Sequence, residues 1–118
     1  MNIMVVDDER VMTDTLGDFL SIDHNVIVFN SSADALKHYK SNLDFDVIFT
    51  DFQMPQMSGD EFIKEILVKN STQRIIIMSG FTNDKNLDRF EKLFANIQTI
   101  QKPFDLFKIS DVLNLINA

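Results

Sequence analysis

Five side chains in this 118-residue chain are of types that could do chemistry together: Asp7, Asp8, Asp51, Ser79 and Lys102. Each stands at the end of a short apolar run. Asp7 and Asp8 follow Ile3–Val6, and Asp51 follows Val47-Ile48-Phe49 within the stretch Phe45–Pro55. Ser79 follows Arg74–Met78, and Lys102 follows Ile97–Gln101. Taken singly, each has a plain explanation. A strand-end Asp forms turns or caps a helix, and acids at a helix start are favoured by the macrodipole. Taken together they suggest more. Three carboxylates in one place repel and raise each other's pKa unless a cation joins them. A hard divalent ion such as Mg2+ suits all-oxygen ligands and keeps several waters. With no His or Cys at these strand ends, a zinc site is disfavoured. A carboxylate, a metal and a lysine make a phosphoryl-transfer set. Asp51 is the candidate nucleophile toward phosphorus, the metal and Lys102 neutralise phosphoryl oxygens, and Ser79 donates a hydrogen bond to the acyl phosphate. No glycine-rich phosphate loop is present, so no nucleotide is expected as the chain's own donor.

These residues converge only if the runs are neighbouring parallel strands. Ile3–Val6, Val47–Phe49 and Arg74–Met78 are nearly continuous in apolar residues, as strands covered on both faces are. Pro55 blocks further pairing after the third run, and Ser58-Gly59 precede the next helical pattern. Val26–Phe29 reads as a second strand, and Ile97–Gln101 (IQTIQ) as a half-exposed edge strand. Between them lie helical patterns with apolar faces: Met12, Leu16, Phe19 and Leu20; Ala35, Leu36 and Tyr39; Phe62, Ile63, Ile66 and Leu67; Leu87, Phe90, Leu93 and Phe94. Ser31 or Ser32 can cap the second helix, and Ser58-x-x-Glu61 has the form of a capping box on the third. Pro103 is expected to open a last helix that faces Leu106, Ile109, Leu113 and Ile116 inward. Five β-α units with right-handed crossovers predict a single doubly wound α/β domain over residues 1–118. Its parallel sheet should run in the order 2-1-3-4-5, with the five chemical residues at the carboxyl ends of its strands.

Composition narrows the function classes. Hydrophobic residues make up 45% and charged residues 25%, an ordinary globular balance. There is no cysteine, which excludes disulfides and thiolate chemistry. A net charge of −7 argues against direct nucleic-acid binding. No run is long enough to span a membrane and no signal peptide precedes the first strand, so a cytoplasmic location is expected. His24 and His38 lie away from the acidic edge and read as surface residues.

The segments VVDDE, TDFQMPQMSG, the MSG after the fourth strand, and KPF, in this order, resemble the receiver domain of two-component response regulators, a CheY-like, flavodoxin-like fold. The resemblance runs from Ile3 to about Ile116. It implies that Asp51 accepts a phosphoryl group from a phosphohistidine on a sensor histidine kinase or a phosphotransfer protein. It implies that Mg2+ is held by Asp8 directly, by Asp7 mostly through water, and by Asp51 and the backbone carbonyl of Gln53. Lys102 would contact a phosphoryl oxygen, with a cis bond to Pro103, and Ser79 would be the switch hydroxyl. The fourth helix, fifth strand and last helix would form the surface for a downstream effector or a homodimer. Gln53 and Phe81 match positions flanking the path of the hydrolytic water, and the bulk of Phe81 is expected to slow self-dephosphorylation.

One position departs from the family pattern. The family usually carries an aromatic residue or His three residues before the lysine, and here that position is Thr99. The expectation is that Thr99 is an exposed edge-strand residue and that phosphorylation acts through the loop after Ser79 and the Leu87–Phe94 helix. On this reading the chain is no conventional enzyme; it assists only its own phosphorylation and dephosphorylation. An alternative is a Mg2+-dependent phosphohydrolase of the haloacid dehalogenase type. That class resembles Asp-x-Asp, where this chain has Gln53 in the second position, and it uses a cap domain. A flavodoxin-like cofactor binder would need a Ser/Thr/Gly-rich phosphate loop after the first strand.

Overall fold

Each apolar run becomes a strand in the computed structural model, which describes residues 1–54, 57–80 and 85–117. The strands are β1 (Asn2–Val6), β2 (Asn25–Phe29), β3 (Val47–Asp51), β4 (Ile75–Ser79) and β5 (Ile97–Gln101). They alternate with α1 (Arg10–Leu20), α2 (Ser32–Ser41), α3 (Gly59–Lys69), α4 (Lys85–Leu93) and α5 (Leu106–Asn117). All strand pairs are parallel, and the sheet order is β2-β1-β3-β4-β5, as expected. Pro55 and Phe81 lie outside the described residues.

Successive side chains on a strand point to opposite faces, so one sheet feeds two cores. Met4, Val6, Ile48, Ile75 and Ile77 pack with Tyr39, Phe62, Ile66 and Phe90 beneath α2, α3 and α4. Ile3, Val5, Val47, Phe49, Ile76 and Met78 pack with Leu16, Leu20, Ile109 and Leu113 beneath α1 and α5. This double covering explains why β3 and β4 are buried at every residue and why their sequences are nearly continuous in apolar side chains.

Two helix starts are fixed by serines. Ser31 Oγ accepts from the Asp34 N–H and Ser58 Oγ from the Glu61 N–H, each at 3.3 Å. The last helix starts later than expected. Pro103 does not open it; α5 begins at Leu106, because Asp105 caps it by accepting from the Lys108 N–H at 3.0 Å.

Other expectations also shift. Leu93 does not join the core: it is 67% exposed, while Leu87 and Phe90 carry the inner face of α4. In β5 the apolar residues are three apart, so Ile97 and Ile100 point to opposite faces and enter different cores. Thr99 is not an exposed residue of this edge. It is half-buried, and its Oγ1 is fully covered without a hydrogen-bond partner among the described residues. The two histidines are half-buried rather than superficial. His24 Nδ1 lies 3.2 Å from the chain's amino terminus, and His38 sits between the rings of Phe29 and Phe45.

Candidate functional site

Strand register brings the acids together. Val6 pairs with Thr50, so Asp7 and Asp51 are at the same level on adjacent strands. Asp51 in turn pairs with Met78, which leaves Ser79 one residue further toward the same edge. Ser79 pairs with Gln101, and the Lys102 N–H donates to the Ser79 carbonyl at 2.7 Å, bringing Lys102 to that edge too. The Lys102–Pro103 peptide is cis.

One carboxylate oxygen from each of Asp7, Asp8 and Asp51 lies within 4.8 Å of the other two. Asp7 and Asp51 are buried, Ser79 is buried, and Asp8 is exposed. The Lys102 ammonium donates to Asp7 Oδ2 at 2.9 Å and lies 3.5 Å from Asp51 Oδ1. Asp51 Oδ1 also accepts a long bond, 3.5 Å, from the Gln53 N–H. Asp7 Oδ1 accepts from the Glu9 N–H at 3.0 Å, so the plain turn-forming role of a strand-end Asp is real here and coexists with the cluster.

The electrostatics follow from this geometry. Burial, with the Asp7 charge beside it, pushes the Asp51 carboxyl up to about 6, against the opposing pull of Lys102 and the Gln53 N–H. Burial works against the Lys102 charge, but the Asp7 hydrogen bond and the charges of Asp51 and Asp7 outweigh it and raise its pKa. Lys102 is thus closer to Asp7 and under-compensates Asp51. Among the described residues, three carboxylates against one ammonium leave two negative charges uncompensated. A donor set made only of oxygens with that balance fits a hard divalent cation.

Two residues support the site through contacts that the sequence did not reveal. Gly59 packs its Cα against the chain just after Asp51: a Cβ there would lie 2.5 Å from the Phe52 carbonyl oxygen and 2.6 Å from the Phe52 Cα. The Gly59 N–H donates to that same carbonyl at 2.9 Å, which ties the start of α3 to the loop leaving Asp51. Asn30, the first residue after β2, donates from Nδ2 to the Asp7 carbonyl. A glycine and an asparagine next to helix starts read as generic turn formers, so nothing in their type marked these contacts.

The family model described as response regulator receiver domain matches residues 3–114. Among curated proteins, response regulator RR06 of Streptococcus pneumoniae is 29% identical over 107 residues, covering 90% of this chain and 48% of that protein. The sensor histidine kinase TmoS of Ectopseudomonas mendocina is 31% identical over 117 residues, covering 98% of this chain and 12% of that protein. The chain therefore spans about half or less of the length of these relatives. Among solved structures, a response regulator receiver domain protein from Clostridium thermocellum superposes with a TM-score of 0.88 at 27% identity, covering 98% of this chain and 92% of that one.

Proposed function

This chain belongs to the response regulator receiver domain family, and from that premise we propose that it is a signalling switch whose Asp51 accepts a phosphoryl group from a phosphohistidine. The observation that carries the reading is the cluster at one sheet edge: Asp7, just after β1, and Asp51, at the end of β3, both lie within ion-pair distance of Lys102, and Asp8 offers a carboxylate oxygen to the same group of acids. An Asp51 carboxylate oxygen attacks phosphorus, the O–P bond forms as the N–P bond breaks, and the imidazole of the donor leaves. Lys102, already 3.5 Å from Asp51 Oδ1, is within reach of a phosphoryl group built on that carboxylate and would stabilise its oxygens. Ser79, buried at the end of the adjoining strand, would donate a hydrogen bond to the phosphoryl group.

Asp7, Asp8 and Asp51, with the Gln53 carbonyl, would hold Mg2+. When bound, the ion neutralises charge on the phosphoryl oxygens and relieves the repulsion among the three acids. The donor would be a sensor histidine kinase or a phosphotransfer protein. The surface formed by α4, β5 and α5 would pass the change to an effector or a second copy of the chain. No described helix is long and apolar enough to cross a membrane. The test is incubation with acetyl phosphate and Mg2+, followed by intact-mass measurement. One phosphoryl group per chain, lost when EDTA replaces Mg2+, supports the reading; no covalent adduct under these conditions contradicts it.

A further inference from the structure

Asp7 and Asp8 follow the last residue of β1. The ladder of β1 ends at Val6, after which the Asp7 N–H donates to the Phe29 carbonyl at 3.1 Å. The next peptide group joins Asp7 and Asp8, two of the three acids of the cluster. Its carbonyl oxygen is taken by a side chain: Asn30 Nδ2 donates to it at 2.9 Å. The same nitrogen also lies 2.9 Å from Thr13 Oγ1, on the buried face of α1, and the Thr13 hydroxyl donates to the Arg10 carbonyl at 3.2 Å. One amide, with two hydrogens to give, thereby clamps the end of β1 to the first turns of α1. Asp7 has further anchors in Lys102 and the Glu9 N–H. The Asp8 carboxylate has no hydrogen bond or ion pair among the described residues. Among the described residues, its direction is set by its backbone and its own rotamer.

We propose that Asn30 is a positioning residue for the cation site. By fixing the plane of the Asp7–Asp8 peptide it presents the Asp8 carboxylate, beside that of Asp7, to a divalent ion in the orientation binding requires. The proposal rests on the reading of the acidic edge as a cation site. Groups that orient ligands without touching the metal commonly alter affinity by about 10–100-fold when removed.

The test uses Mn2+ alone as the probe, titrated into the phosphate-free protein and followed by the EPR signal of the free ion. Asn30→Ala should weaken Mn2+ binding about tenfold. Thr13→Val, which removes the far anchor of the amide, should weaken it by a smaller factor. Tyr39→Phe is the control: it deletes a buried hydrogen bond to Gln73 Oε1 (2.8 Å) at the opposite end of the sheet and should bind Mn2+ as the wild type does. Wild-type affinity in Asn30→Ala overturns the proposal, as does an equal loss in Tyr39→Phe, which would mean general loosening. Should Asn30→Ala fail to fold by circular dichroism, unchanged affinity in Thr13→Val overturns it equally. A wild type that binds no Mn2+ gives a different pattern, and it removes the cation reading on which this inference stands.

Discussion

Replacing Asp51 by Asn should stabilise the metal-free protein at neutral pH, although Asp51 is the residue proposed above to take the phosphoryl group. The carboxyl is buried beside Asp7, and its pKa is raised from 3.8 to about 6. The folded state therefore holds this proton more tightly than the unfolded chain does. The cost of ionising Asp51 is absent well below pH 4, grows as pH rises through the window from about 4 to 6, and is complete above about 7. The gap between 3.8 and about 6 corresponds to about 3 kcal/mol at the upper limit. The asparagine amide is neutral at every pH and carries no such cost. Since Lys102 keeps Asp7 as its nearer partner, the expected gain at pH ~7.5 is about 1–3 kcal/mol, shrinking toward zero near pH ~4. Urea unfolding followed by far-UV circular dichroism in EDTA measures it at both pH values; the chain has no Trp to report by fluorescence. A pH-independent difference, or a less stable Asp51→Asn variant at neutral pH, would refute the claim that burial and Asp7 strain the Asp51 carboxylate.

Three further outcomes are expected. Lys102→Met leaves Asp7 and Asp51 without a cation, so stability should fall by about 2–4 kcal/mol in EDTA, and added Mg2+ should recover part of it. Mg2+ that gives no recovery in urea titrations would argue against a cation site beside Lys102. Gly59→Ala should cost about 1–3 kcal/mol, because a Cβ at 2.5 Å from the Phe52 carbonyl must displace backbone. That penalty exceeds the helix-propensity gain of about 1 kcal/mol, and a net stabilisation would show that the loop after Asp51 is not held by this contact. Thr99→Val should stabilise the protein by about 1 kcal/mol, since it removes a covered hydroxyl with no partner among the described residues; a lower thermal midpoint would mean that the hydroxyl is satisfied.

Much of the fold was legible because the two-faced sheet writes itself into composition. Val47-Ile48-Phe49 and Ile75-Ile76-Ile77 are apolar at every position, which only a strand covered on both sides requires. The convergence of Asp7, Asp8, Asp51 and Lys102 followed from strand order alone, since parallel strands share one carboxyl edge. Details that depend on three-dimensional closeness were not legible. Leu93 has the spacing of an inner residue yet faces solvent, because Leu87 and Phe90 already fill the face of α4 that meets the core. Pro103 has the geometry of a first helical residue, but Asp105 supplies a better cap two residues on. Thr99 reads as polar and therefore outward, whereas its place in β5, opposite Ile77, turns its hydroxyl into the protein. Asn30 and Gly59 act on the site through backbone groups of Asp7 and Phe52, and backbone contacts leave little trace in residue type.

The most direct test of the account is to locate the phosphoryl group. After reaction with acetyl phosphate and Mg2+, the acyl phosphate can be trapped by borohydride reduction and the modified residue identified by peptide mass mapping. The account predicts modification at Asp51, and none when Asp51→Asn is treated in the same way. A trapped carboxyl at Asp7 or Asp8, or a phosphoryl group carried only by Ser79 or a histidine, would contradict it.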